Sequence, residues 1–371
     1  MRAILAILVA LAAVPAAAQL PQDAGAWKRD GDRVGVTASG ISLPGSAASM
    51  SLATTGEASL KGQGVDNVAQ YYSADRKVFA TIYIFYSPYA DTALATWATD
   101  RAIHERFGAN VVMIDESVVA AGGAPGTAAR RLYDKGRLAP GGDTLVSAMG
   151  YVRAGAWMIG LRVTGPTGRR SEVEGGLDAL LAGLRFDGKD KPMSVASLKL
   201  AAPCPASDDK PAKSLSDKTA GANALLGGLL GGAIVIRDER SGTTNMMARP
   251  LAFPANGAQA LCVRGQVHVG DGMVDMLQPA DAAAAALALI VLDDAGGTIA
   301  IEPAILGNGF VMKHYAIGHI ETLGSYDRIP TATQIGAILE GRDAKGAMVR
   351  SNTLFTPGGK STIEINANTL K

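Results

Sequence analysis

The stretch WMIGLRVTGPTGRRSEVEGGLDALLAGLRF, Trp157 to Phe186, joins an extended run to a helix, and its reading decides the fold class. Leu145 to Val163 reads as two strands turned at Ala154-Gly155. Beyond them Ser171 and Glu174 match a capping box, and Val173, Leu177, Leu180, Leu181 and Leu184 fall on one helical face. A helix with one apolar stripe must cover something, so it packs on the sheet that the preceding strands make.

Working outward toward the N-terminus, WKRDGDRVGVTASGISLP and VAQYYSADRKVFATIYIFYS are strand-rich, the second ending in a β-branched and aromatic run from Val78 to Tyr86. A helix follows, with Asp91 as N-cap, Leu94 and Trp97 inside and Gly108 past its end. Val111 to Val119 and Ala128 to Leu138 add further extended segments. Residues 25–188 therefore read as one α/β unit with an antiparallel sheet.

The character changes after Asp187. DGKDKP is a charged break, PCPASDDKPAKSLSDK is rich in Pro, Ser and charge, and GANALLGGLLGGA is low-complexity. Residues 189–233 read as a linker, with a loop inside one larger domain as the alternative. Residues 234–371 return to strands: AIVIRDER, ALCVRGQVHV, ALALIVLDD, TIAIEP, GFVMKHYAIGHIETL, MVRSNTLF and STIEINA. One helix is expected at TATQIGAILEG, where Thr331 and Gln334 match a capping box and Gly341 ends the run, and LDDAGGT is a hairpin turn. The class is α+β, with an N-terminal sandwich and a C-terminal, mostly antiparallel β domain.

The local phrases SGISLP, VAQYYS, ATIYIF and WMIGLRVTGP, with strands closed by an amphipathic helix, resemble the α/β/α sandwich of PsbP-like domains and a family of exported bacterial proteins of unknown function. The resemblance covers about 160 residues. It implies a fold and an envelope address, and carries no functional residue onto this chain.

The chain opens MRAILAILVALAAVPAAAQLP: one positive charge at Arg2, an apolar run from Ala3 to Val14, and a small-residue triplet before Gln19. This is the pattern of a secretory signal peptide, residues 1–18, cleaved between Ala18 and Gln19. No twin arginine precedes the run and no cysteine follows the cleavage site, so the expectation is general export, periplasmic or secreted, without a lipid anchor. The apolar runs Ala224 to Ile236 and Ala282 to Leu292 fall short of the roughly twenty residues that span a bilayer, so no transmembrane segment is expected.

Losing Arg2 with the signal leaves Lys plus Arg equal to Asp plus Glu, which argues against nucleic acid or anionic lipid as a partner. Cys204 and Cys262 are an even pair in an exported chain and read as one disulfide. It would close about 59 residues, worth on the order of 4 kcal/mol by loop entropy.

TPGGKST, Thr356 to Thr362, contains Gly-Lys-Ser, but a P-loop needs a glycine where Leu354 stands and a helix where STIEINA is β-like, so it reads as strand, turn, strand. His314 and His319 are five apart, which on one strand puts them on opposite faces. His268 alternates with Val267 and Val269 as a solvent-side residue, and His104 shares a helix face with Trp97. Ser207 to Lys210 matches S-x-x-K only by type, without the companion S-D-N and K-T-G motifs. No G-x-S-x-G and no H-E-x-x-H occurs, and DGMVDM from Asp271 lacks the alternating ligands of a calcium loop. Tyr83, Phe85 and Tyr86 read as core aromatics.

These readings lead to a non-catalytic exported protein, with no cofactor, metal or catalytic residue assigned, that binds another envelope protein or a small molecule. The alternatives are a periplasmic hydrolase with a dispersed site, His104 or His314 being its candidate base, and an envelope scaffold that recruits partners along a β edge.

Overall fold

The computed structural model describes residues 25–366, apart from 60–63, 88–90, 138–141, 189, 196–198, 201–203, 205–209, 227–259, 271, 281–287, 293–296, 307 and 357–359. Strands β1 (Trp27–Asp30), β2 (Arg33–Val36), β3 (Ile41–Pro44) and β12 (Arg185–Phe186) make a small sheet. A larger one has the order β4-β5-β6-β7-β11-β10-β9-β8. Its members are β4 (Ser46–Ala47), β5 (Met50–Glu57), β6 (Asp66–Ser73), β7 (Phe79–Tyr86), β8 (Val112–Ala121), β9 (Ala124–Arg137), β10 (Thr144–Ala154) and β11 (Trp157–Pro166), all paired antiparallel.

Side chains alternate across this sheet, and each face takes a helix. On one face α2 (Arg170–Gly183) buries Val173, Leu177, Leu180 and Leu181 among Ile82, Ile84, Val146, Ile159 and Val163. On the other, α1 (Thr92–Phe107) packs Ala95 and Ile103 on Phe85, Tyr133, Met149, Tyr151 and Met158. Asp91 caps α1, its side chain accepting from the Ala93 and Leu94 amides, and Gly108 ends it at φ 79°, as the sequence suggested. The Ser171/Glu174 capping box does not form. A 3-10 turn over Thr167–Arg169 starts the helix one residue before Ser171, and Glu174 instead pairs with Arg170.

The third sheet runs β13-β14-β15-β16-β17-β18-β19-β20-β21. It comprises β13 (Lys199–Leu200), β14 (Ala260–Val269), β15 (Gly272–Pro279), β16 (Ala288–Val291), β17 (Thr298–Pro303), β18 (Phe310–Ala316), β19 (His319–Tyr326), β20 (Ser351–Thr356) and β21 (Lys360–Ile365). Among the described residues of this sheet only the β13–β14 pairing is parallel. The helix α4 (Ala332–Leu339) lies on β14 and starts with the expected Thr331/Gln334 capping box. Cys204 and Cys262 form a disulfide with a Cα separation of 4.9 Å, tying the segment after β13 to β14. Parts of the 189–233 stretch are built into this sheet's packing: Ser214 bridges to Tyr326, and a helix, α3, over 217–226 buries Ala220, Asn223 and Ala224. No helix among the described residues is long and apolar enough to cross a membrane.

The large sheet and the third sheet meet through one hydrophobic cluster that contains Tyr86, Trp157, Tyr315, Ile320 and Phe355. The β18–β19 turn makes the joint: the Gly318 amide donates to the Tyr86 carbonyl at 2.9 Å, and the Phe355 amide donates to the Gly318 carbonyl at 2.8 Å. Gly318 has φ 72°, and a Cβ there would lie 2.8 Å from the Val65 side chain, so a larger residue fits neither the backbone nor the space. The Tyr86 ring lies 5.7 Å from Phe355 and 5.5 Å from Trp157.

Phe355→Ala should remove about 3–5 kcal/mol of stability. Because Phe355 packs on Tyr86, the loss is expected in Trp fluorescence, although Trp27, Trp97 and Trp157 all precede the third sheet. A fluorescence transition left unmoved while the far-UV transition shifts would show that the two sheets unfold independently.

Candidate functional site

Asp134-Lys135-Gly136 interrupts β9. Across the ladder Val146 pairs with Asp134 and Leu145 with Gly136, so Lys135 is an extra residue with no partner on β10. Gly136 takes φ 62°, and its amide donates to Asp134 Oδ1 at 2.9 Å, holding the bulge. A bulge re-aims a side chain, and this one turns Lys135 toward the C-terminal end of α1, where its Nζ lies 4.6 Å from the centre of the Phe107 ring.

Lys135 is only 5% exposed. Its charged neighbours are Arg162 on β11 and Arg106 on α1, and the Arg106 guanidinium is 5.4 Å from the same Phe107 ring. Among the described residues neither Lys135 nor Arg106 has a carboxylate partner. Burial first, then Arg162 and Arg106, push the Lys135 amine down to about 7. Arg106 is lowered by the same two causes, burial and Arg162.

Strand register supplies the surroundings. Ser147 on β10 lies opposite Tyr133 on one side and Thr164 on the other, and Thr164 lies opposite Phe79. The Ser147 and Thr164 hydroxyls are buried and 2.6 Å apart, a polar strip on the face that carries α1. Arg162 sits opposite Met149 and Thr81 on that face. Toward β7 the helix no longer covers the sheet, leaving Phe79 40% and Tyr83 44% exposed, so Tyr83 is not the core residue its pattern suggested, whereas Phe85 and Tyr86 are buried.

Elsewhere along the seam polar groups are matched. Tyr133 donates to Asp100 Oδ1 at 2.8 Å, Arg131 pairs with Glu116, and Thr99 and Tyr151 share a hydrogen bond. Burial raises the Tyr133 hydroxyl, consistent with a dry seam. His104 is on the outer side of α1, its Nδ1 2.9 Å from the Asp100 carbonyl and 3.8 Å from Asp100 Oδ2.

His314 and His319 lie differently from the single-strand reading. Ile317-Gly318 turns the chain between them, so His314 faces Glu321 across β18–β19 and the imidazoles come within 6.4 Å. His314 Nδ1 is 3.0 Å from Glu321 Oε2, and that hydrogen bond holds the Glu321 carboxyl below its usual range. His268 lies 3.8 Å from Glu340 and is exposed. No three His, Cys, Asp or Glu are grouped to hold a metal among the described residues. In TPGGKST, Thr356 pairs with Lys360 as β20 and β21 form a hairpin, while 357–359 lie outside the described residues. Ala18, Gln19, Ser207 and Asp271 also lie outside them.

Lys135 carried no sequence signature of chemistry. The available signal was Asp-Lys-Gly inside an otherwise unbroken strand, a bulge pattern that places one cation out of the alternation.

The architecture is that of an α+β protein of mostly antiparallel sheets with a helix on each face of the eight-stranded one. No family model matches the chain, and no curated protein does. A crystal structure of a protein from Bacteroides thetaiotaomicron VPI-5482 aligns at 10% identity and a TM-score of 0.24, over 73% of this chain and 89% of that one. At that similarity neither fold nor function transfers.

Lys135→Met keeps the stem and removes the amine. Between about 7 and the ordinary lysine value near 10.4 the unfolded chain holds a proton that the folded chain lacks, so the parent's stability rises with pH through that window. The variant should therefore melt above the parent at pH 6, with the gap closing toward pH 10. Parallel melting curves across that range would show that the amine titrates normally.

Proposed function

We propose that the chain is an exported binding protein of the bacterial envelope whose N-terminal part is a PsbP-like sandwich, and that it holds a small organic anion beside Lys135. The observation that carries this reading is the convergence of Lys135, Arg106 and Arg162, with a buried ammonium lacking any carboxylate among the described residues. A buried cation without a counter-ion is unfavourable, and an anion supplied from outside relieves it. The uncovered Phe79 and Tyr83 flank Thr81, which lies opposite Arg162, and suit the apolar part of such a ligand.

Export rests on the leader pattern, with cleavage between Ala18 and Gln19. The Cys204–Cys262 disulfide is compatible with that address, since such bonds persist in oxidising compartments. The even balance of charges keeps nucleic acid out of the reading.

Thermal melts with acetate, lactate, benzoate and phosphate test this at fixed ionic strength. At least one organic anion should raise the melting temperature of the parent and leave Arg162→Met and Lys135→Met unmoved. Equal shifts in parent and variants would place the anion elsewhere.

A second reading keeps the His314–Glu321 pair as the base of a hydrolase, because a carboxylate 3.0 Å from an imidazole orients it for proton transfer. Turnover on an ester, peptide or glycoside panel that His314→Ala abolishes would establish it. Activity that is absent, or unchanged in both His314→Ala and His104→Ala, would remove it.

A further inference from the structure

We infer that Lys135 is a nucleophile that condenses reversibly with the carbonyl group of a small carboxylate, a 2-oxo acid, held by Arg106 and Arg162. The inference rests on the anion-binding reading and names its ligand class. Three observations on this face point to it. The Lys135 amine is buried and, among the described residues, contacts no carboxylate; its near neighbours are an aromatic ring and two further cations. The bulge at Asp134-Lys135-Gly136 directs that one side chain into the α1 seam. The buried Ser147 and Thr164 hydroxyls lie along the same face, the kind of groups that can meet a carbonyl oxygen or a departing water.

Desolvation and adjacent cations are what turn a lysine into a nucleophile at neutral pH. An ordinary exposed lysine keeps fewer than about one amine in a thousand unprotonated at pH 7, whereas Lys135 is shifted down to about 7. The charged groups that face it are Arg106 from α1 and Arg162 from β11. Both are cations, so both favour the free amine, and both suit a carboxylate one bond from the reacting carbonyl.

The step is a condensation without net redox change. The Lys135 nitrogen lone pair attacks the carbonyl carbon and the C=O π pair moves to oxygen. Proton transfer from nitrogen to that oxygen gives a carbinolamine. Loss of water leaves a C=N bond to Lys135, and hydrolysis reverses the sequence. The amine, the ketone and one water account for every atom.

Reductive trapping tests it on the full chain after removal of its leader. The parent is incubated at pH 7 with cyanoborohydride and pyruvate, glyoxylate or acetone, and adducts are located by intact mass and peptide mapping. One adduct is expected, at Lys135, formed more than about tenfold faster than at any other lysine, faster with pyruvate than with acetone, and absent from Lys135→Arg. The melting profile of Lys135→Arg shows whether it folds, and Arg162→Met gives a second variant in which the pyruvate advantage over acetone should disappear.

Labelling spread evenly over the lysines, or equal in parent and Lys135→Arg, overturns the inference. Lactate, which has the carboxylate but no ketone, separates the two failures. A lactate-dependent rise in melting temperature without any pyruvate adduct sinks the condensation and leaves anion binding standing, whereas loss of both sinks both.

Discussion

Exclusion of water between α1 and the large sheet is the interaction on which the rest of the structure turns. Ala95 and Ile103 of the helix close over Phe85, Met149, Tyr151 and Met158, and the polar side chains along the seam answer one another: Tyr133 with Asp100 and Thr99 with Tyr151 inside it, Arg131 with Glu116 at its exposed rim. A buried polar group with a partner is nearly neutral for stability, and one without a partner is not. Among the described residues Lys135 is an exception in that seam. The apolar packing that stabilises the fold is thus also what shifts its amine, so the candidate chemistry is a by-product of core formation and needs no dedicated base.

The seam is held from both sides. Arg101 on α1 donates to the Val291 carbonyl of β16 at 3.0 Å and stacks 5.1 Å from Trp97. The Gly318 turn docks on the end of β7, the strand that also carries Phe79 and Tyr83. The third sheet therefore braces the helix whose last turn presents Arg106 and Phe107. Changes near Gly318 or Phe355 act on the site through α1 and β7, without touching it.

Much of the architecture was legible in the residues. The cap at Asp91, the stripe Val173-Leu177-Leu180-Leu181, the turn at Gly155 and the hairpin after Thr356 are local signals, and local signals survive folding. What failed did so for tertiary reasons. Ser171 and Glu174 have the capping-box spacing, but Thr167–Arg169 already winds the chain ahead of them. The five-residue spacing of His314 and His319 reads as opposite faces of one strand, whereas Gly318 turns the chain between them and seats against Val65 and Tyr86. Lys135 was invisible because its neighbours Arg106 and Arg162 lie 29 residues before and 27 after it, and only strand register brings them together.

Charge pairing distinguishes the two candidate centres. At His314 the interaction is already satisfied: Glu321 accepts the imidazole, and its carboxyl is held ionised by that bond, so a ligand must displace a partner the fold provides. At Lys135 the amine itself meets no carboxylate among the described residues. The Lys135 amine is buried with the Arg162 and Arg106 guanidinium groups near it, and their charge disfavours its ammonium form until an anion enters or the amine gives up its proton. Those two outcomes are chemically linked. An anion bound near the guanidinium groups would pull the amine back toward its ammonium form, whereas a ligand that also presents a carbonyl converts the amine to an imine and keeps both guanidinium contacts. Simple anions and oxo acids should therefore load the seam with different proton balances, simple anions taking up protons near neutral pH and oxo acids taking up fewer for the same carboxylate contact.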